Sequence, residues 1–82
     1  MHGSSLFVRN INFSVSGNNL LELFSVYGEV KSVKVVQDRG FAFIEMTRQM
    51  DAENAMKSLN GIEFQGRVIL VNEAHTKKSK RR

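Results

Sequence analysis

The sequence predicts an α+β fold: four strands in one antiparallel sheet, with two helices on one of its faces, in the order β-α-β-β-α-β. Three observations predict it. Apolar residues alternate with a period of two in four short segments and recur at helical spacing in two others. Only Gln37-Asp38 separates the second strand from the third, which leaves room for a hairpin and for no crossover. Each helical segment lies between two strands, and right-handed crossovers bring both helices to the same side of the sheet.

The elements follow in order. Leu6-Phe7-Val8-Arg9 alternates and is the first strand, and Asn10 to Val15 is a loop. Ser16 is a candidate N-cap for a helix carrying Leu20, Leu21, Leu23, Phe24 and Tyr27. Gly17-Asn18-Asn19 is a poor first turn by propensity, and Gly28 stands where a glycine would end the helix. Val30 to Val36 is rich in β-branched residues and forms the second strand. The third strand is expected over Arg39 to Met46. Thr47 is a candidate cap for a second helix with Met50, Ala52, Ala55, Met56 and Leu59 on its apolar side, ended by Asn60-Gly61. Gly66 precedes a last strand from Arg67 to Glu73, with Ile69 and Val71 facing the core and Val68, Leu70 and Asn72 turned away.

The totals bound the function. Eighty-two residues make one small domain, which buries only about 60–65% of its surface on folding. With no cysteine there is no disulfide framework and no thiolate metal site. No apolar run exceeds four residues, too short to span a membrane. No signal peptide is visible, and an intracellular setting is expected. Of twelve Lys and Arg, five (Lys77, Lys78, Lys80, Arg81 and Arg82) fall in the last six residues. The other seven stand against eight Asp and Glu, a balance of −1. The expected organisation is a flexible start at residues 1–4, in part a cloning remnant, a domain over 5–75, and a basic disordered tail over 76–82. Such a tail attracts polyanions; it reads equally as a solubilising end or as the stump of a longer chain.

The most informative segment is Arg39-Gly40-Phe41-Ala42-Phe43-Ile44-Glu45-Met46. Read as a strand, it sends Gly40, Ala42, Ile44 and Met46 to one face, small and apolar under a helix. Arg39, Phe41, Phe43 and Glu45 go to the other. Two rings and a cation on a face that is not core suit a stacking platform for unpaired bases.

These residues resemble the ribonucleoprotein signature of the RNA recognition motif, K/R-G-F/Y-G/A-F-V-x-F/Y. Five of its seven specified positions match outright, Ile44 replaces Val conservatively, and Met46 departs at an inward-pointing position. Leu6 to Ile11 resembles the family's second signature, on the first strand. Asp51 to Met56, Leu59-Asn60-Gly61 and Gly66-Arg67 are similar to its second helix, following turn and last strand. The resemblance covers residues 5 to 75 and implies a ferredoxin-like fold that binds single-stranded RNA without catalysis. It implies that Phe7 and Phe43 stack bases, that Phe41 lies against the sugars, and that Arg39 meets a phosphate. It also implies that the site extends through Asn72, Glu73, Ala74 and His75 into the tail at Lys77 and Lys78. Many members carry a longer loop between strands two and three that grips RNA; a short one, as here, is similar to that of some nuclear RNA-processing members, including the paraspeckle group. Val36 and Leu70 put aliphatic groups on the open face, where polar residues are common in the family. Lys77 to Arg82 would favour the nucleus in a eukaryote; otherwise the cytoplasm is expected.

Each feature has a plainer alternative. The rings could be strand hydrophobes covered by a partner, and Arg39 a surface cation near Asp38 and Glu45. Arg9 and Lys34 share the open face, equally as nucleic-acid contacts or as solvated charges. Glu45 is read as a solvated charge. Phe13, Phe24, Tyr27 and Phe64 are assigned to packing, and the asparagines at 10, 12, 18 and 19 to loops and caps. His2 and His75 are too few for a metal site, and no nucleophile pairs with a base, so no cofactor and no enzyme activity is expected. Acylphosphatase-like enzymes and copper chaperones share the element order, but the anion-cradling loop of the first and the paired cysteines of the second are lacking. The rival partners are single-stranded DNA on the sheet or a protein on the helix face. Against a tryptophan-gripping variant of the family, Ile62-Glu63-Phe64 lacks the required arginine. The isolated domain is expected to be a monomer and to bind no membrane.

Overall fold

The computed structural model describes residues 4–74. Strand β1 (Ser5–Arg9) leads to helix α1 (Gly17–Ser25), then to β2 (Val30–Val36), β3 (Phe41–Met46) and helix α2 (Gln49–Leu59). A short ribbon of β4 (Glu63–Phe64) and β5 (Arg67–Val68) precedes β6 (Leu70–Glu73). The main sheet runs β2-β3-β1-β6, antiparallel throughout. This is the expected ferredoxin-like α+β architecture, and the two strands bearing the aromatic residues lie at its centre. Among the described residues no helix is long and apolar enough to cross a membrane.

Period two explains the core. Leu6 and Val8 of β1, Ala42, Ile44 and Met46 of β3, and Ile69 and Val71 near the last strand are all buried. Leu20 and Phe24 of α1, with Ala52, Ala55 and Leu59 of α2, close over them. The alanines keep α2 near the sheet, and each large side chain contributes about 1.5–3 kcal/mol by burial. Met46, the departure from the family signature, is core as its parity predicts.

Helix α1 overcomes its poor first turn by a capping box. Ser16 Oγ accepts from the Asn19 backbone N–H at 3.2 Å, and Asn19 Oδ1 accepts from the Ser16 N–H at 2.9 Å. Thr47 does not cap α2: Arg48 is the N-cap, without a side-chain bond, and the Thr47 N–H donates to Glu29 O at 3.2 Å. Gly28 ends no helix in the left-handed conformation. A Cβ there would lie 2.6 Å from Asp51 Cβ, so glycine is needed for the close approach of α2. Asn60 does close α2, and its Oδ1 accepts from the Val71 N–H at 2.9 Å.

Two strands differ from expectation. The third begins at Phe41, not Arg39, because Gln37–Arg39 forms a 3-10 turn and Gly40 takes a left-handed φ of 73°. Glycine reaches that conformation at no steric cost, so it breaks the alternation there. The last strand is interrupted at Ile69, whose N–H donates to Ile62 O and whose carbonyl accepts from Gly61 N–H. Gln65 and Gly66, with φ of 54° and 84°, make the tight turn of the β4–β5 ribbon. Phe13, assigned to packing, is 75% exposed in the β1–α1 loop, whereas Phe24 is buried and Tyr27 and Phe64 pack against the core.

Candidate nucleic-acid interface

Strand register fixes the open face as three rows. The middle row is Lys34, Phe43, Phe7, Asn72, read across β2, β3, β1 and β6. The row towards the β2–β3 turn is Val36, Phe41, Arg9, Leu70. The third is Ser32, Glu45, Ser5, closed by Ala74, whose N–H donates to Ser5 O at 2.9 Å. The residues expected on this face from strand alternation are there, except Arg39 and Val68, which lie outside β3 and β6.

The three rings form one cluster. Phe7 and Phe43 sit directly opposite each other, centroids 5.1 Å apart and planes 26° from parallel. Phe41 meets both edge-on, at 5.3 Å and 61° to Phe7 and 5.7 Å and 76° to Phe43. The cluster has the geometry that aromatic quadrupoles favour. No described element covers it, and Phe43 remains 42% exposed. The Arg9 guanidinium carbon lies 6.0 Å from the Phe7 centroid, within cation–π range.

The charged residues divide. Glu45 accepts from Ser32 Oγ at 3.4 Å and pairs with Lys31 Nζ at 3.9 Å, so it acts as a strand-pairing charge. Lys31 faces it because the β2–β3 register shifts between Val30 and Ser32. That is the one ion pair among the described residues, so Arg9, Lys34 and Arg39 have no carboxylate partner there. Arg39, outside the strand, borders a hollow of about 460 Å³ at the end of the platform, together with Arg9, Leu70 and Arg67. Strand alternation does not point to Arg67; its signal is the two-residue Gln65-Gly66 turn, which folds the start of the expected last strand into a separate ribbon.

The extension of the site is also divided. Asn72 lies beside Phe7, and Ala74 at the end of the third row. Glu73 pairs with buried Leu6, and its side chain borders a hollow with Glu53, Met56 and Lys57 on the helix side. Its carboxylate is therefore off the platform, leaving its backbone for any contact at the sheet edge. His75, Lys77 and Lys78 lie outside the described residues.

The loop asparagines hold this end together, as their loop assignment implies. Asn10, at a φ of 63°, donates from Nδ2 to Val68 O at 2.7 Å. Asn12 donates to Gln65 O at 3.1 Å and accepts from the Ser14 N–H at 3.0 Å. The Gln37 amide donates to Val15 O at 3.0 Å, tying the short β2–β3 turn to the same loop.

Comparisons with known proteins agree with this geometry. The chain named RbpE in Nostoc sp. is 37% identical over 82 residues, which cover 93% of this chain and 83% of that one. The human cleavage stimulation factor subunit 2 tau variant is 39% identical over 82 residues, but this chain spans only 13% of its length. A solved structure titled RNA Binding Protein PG1 superposes with a TM-score of 0.86 at 36% identity, covering 93% of this chain and 99% of that one. The family model for the RNA recognition motif matches residues 6–70, which include both signatures and the whole aromatic cluster, and the chain belongs to that family.

Proposed function

We propose that this domain binds single-stranded RNA on the open face of its sheet, without catalysis, in RNA processing or metabolism. The observation that carries the reading is the outward cluster of Phe7, Phe41 and Phe43, uncovered by any described element and opposite the packed core. Two or three nucleotides lie across the sheet, with bases on Phe7 and Phe43 and sugars against Phe41. Arg39, Arg9 and Lys34 supply charge without committed carboxylate partners among the described residues. RbpE and PG1 are both named for RNA binding, which supports the same reading.

Backbone groups from Asn72 to His75 give base preference in this reading, and Lys77 and Lys78 add attraction with little selectivity. The domain acts as a monomer over residues 5–75. In a eukaryotic host the basic run would also direct it to the nucleus. A titration followed by amide chemical shifts tests the whole. Shifts on β1 and β3 with RNA, larger than with DNA of the same sequence, are expected. Shifts confined to α1 and α2 on adding a peptide, with none on the sheet from RNA, would replace the reading by a protein-docking one.

A further inference from the structure

We propose that Arg9, Arg39 and Arg67 together clamp one phosphodiester group of the bound strand, at the ribbon end of the platform. The proposal rests on the RNA-binding reading and sharpens it. Three of the four arginines preceding residue 77 border one hollow, although they come from separate segments: the end of β1, the 3-10 turn and the start of β5. None has a carboxylate within 4.0 Å among the described residues.

The convergence is built by the backbone. The Ile11 N–H donates to Gly40 O at 3.0 Å, joining the β1 exit to the turn that carries Arg39. The Asn10 side chain donates to Val68 O at 2.7 Å, joining the same exit to the ribbon that carries Arg67. Arg9 sits between Phe41 and Leu70 in the sheet. Cations that border one hollow repel one another, and an anion seated in that hollow offsets the repulsion.

The chemistry favours a phosphate. Guanidinium forks match its oxygens in pairs, while the two lysines of the sheet, Lys31 and Lys34, stand on β2 away from the hollow. The hollow lies next to the Phe41 row, one strand repeat of about 7 Å from the stacked pair. It is open to solvent, as a group within a continuing strand requires. A single held phosphate fixes where the strand sits, a different effect from diffuse attraction.

The test uses the best octanucleotide from a randomised RNA pool, remade with one neutral methylphosphonate linkage at each position in turn. For the full-length protein, one linkage should weaken binding by about five- to tenfold, and its neighbours by less than about twofold. In Arg67→Gln that one penalty should fall to about threefold, because one of the three guanidinium partners has gone. A flat scan, or a penalty unchanged in Arg67→Gln, overturns the clamp. Phe43→Ala is run alongside to separate the two claims. If it weakens binding while the scan is flat, the platform stands and the clamp falls. If it binds as tightly as the unaltered protein, the platform reading falls and the clamp with it.

Discussion

Phe43→Ala is the sharpest test of the platform. The ring is 42% exposed and paired with Phe7 at 5.1 Å. If a phenylalanine presents about 200 Å², then roughly 80 Å² of Phe43 is free for a base to cover. At about 25 cal/mol per Å² that area is worth ~2 kcal/mol, within the range of about 1–3 kcal/mol found for base–aromatic stacking. The dissociation constant for the best RNA ligand should therefore rise about 30-fold. Folding stability should drop less, by ~1 kcal/mol, mainly through the lost pairing with Phe7. Fluorescence polarisation at fixed salt measures the first quantity and urea denaturation the second. Phe43→Leu separates flatness from bulk: it keeps apolar volume but offers no face, and should lose most of the affinity. A Phe43→Ala affinity within twofold of the unaltered protein would refute the stacking argument. Full retention in Phe43→Leu alone would reduce it to simple apolar burial.

Other perturbations reach the tail, the core and the loop ties. Deleting residues 77–82 should flatten the dependence of log affinity on log salt by at most ~0.7 for each phosphate that the tail neutralises; an identical slope would mean that the tail does not touch the strand. Gly28→Ala should destabilise the domain by about 1–3 kcal/mol in urea, since the new Cβ meets Asp51 Cβ at 2.6 Å; undiminished stability would show that α2 gives way freely. Phe24→Ala, which empties the largest fully buried site, should cost about 3–5 kcal/mol, and a loss below ~1 kcal/mol would contradict the packing described. Asn10→Ala and Asn10→Gly both remove the bond to Val68 O, but only alanine is strained at a φ of 63°. Alanine should be the less stable by about 1 kcal/mol, and equal melting would mean that the left-handed backbone is not held.

Alternation makes most of the platform legible. Phe7, Phe41, Phe43, Arg9 and Lys34 are where a period of two puts them, and so are the buried Ala42, Ile44 and Met46. Legibility ends where a local backbone device overrides that period. Gly40 turns the chain out of the strand, so Arg39 reaches the site from a turn. The Gln65-Gly66 turn splits the last strand and brings in Arg67, which the alternation of an unbroken strand does not indicate. Nearness to the strand end puts Glu73 on the platform, but parity with Leu6 sends its side chain to the helices. Residue type alone assigns Phe13 to packing, yet it lies in a loop whose buried members are Ile11 and Val15. The asparagines are legible as loop and cap residues, but the partners of Asn10 and Asn12, on β5 and the ribbon turn, lie more than fifty positions away, beyond any local pattern.

The balance of −1 over residues 1–76 describes the open face poorly, because several of the acids lie off it. Glu22 lies on α1, Asp51 and Glu53 on α2, and Glu73 borders a hollow on the helix side, while Asp38 stands beside Arg39 in the 3-10 turn. Glu45, the acid of the open face, is engaged by Lys31 and Ser32. Arg9, Lys34 and Arg39 carry no such partner among the described residues. The screening length at physiological salt is about 8 Å, so exposed carboxylates on the outer surface of the helix layer weigh little on a strand across the opposite face of the sheet. A polyanion approaching the rings therefore meets a locally positive surface on a nearly neutral domain. Few charges are involved, so bulk attraction is modest and stacking must supply most of the local affinity. On the proposed clamp, arginines gathered at one end of the platform act chiefly on register, setting which bases reach Phe7 and Phe43. The hydrogen bonds that tie the β1 exit to the turn and to the ribbon would then do the positioning that so short a β2–β3 turn leaves to other parts of the fold.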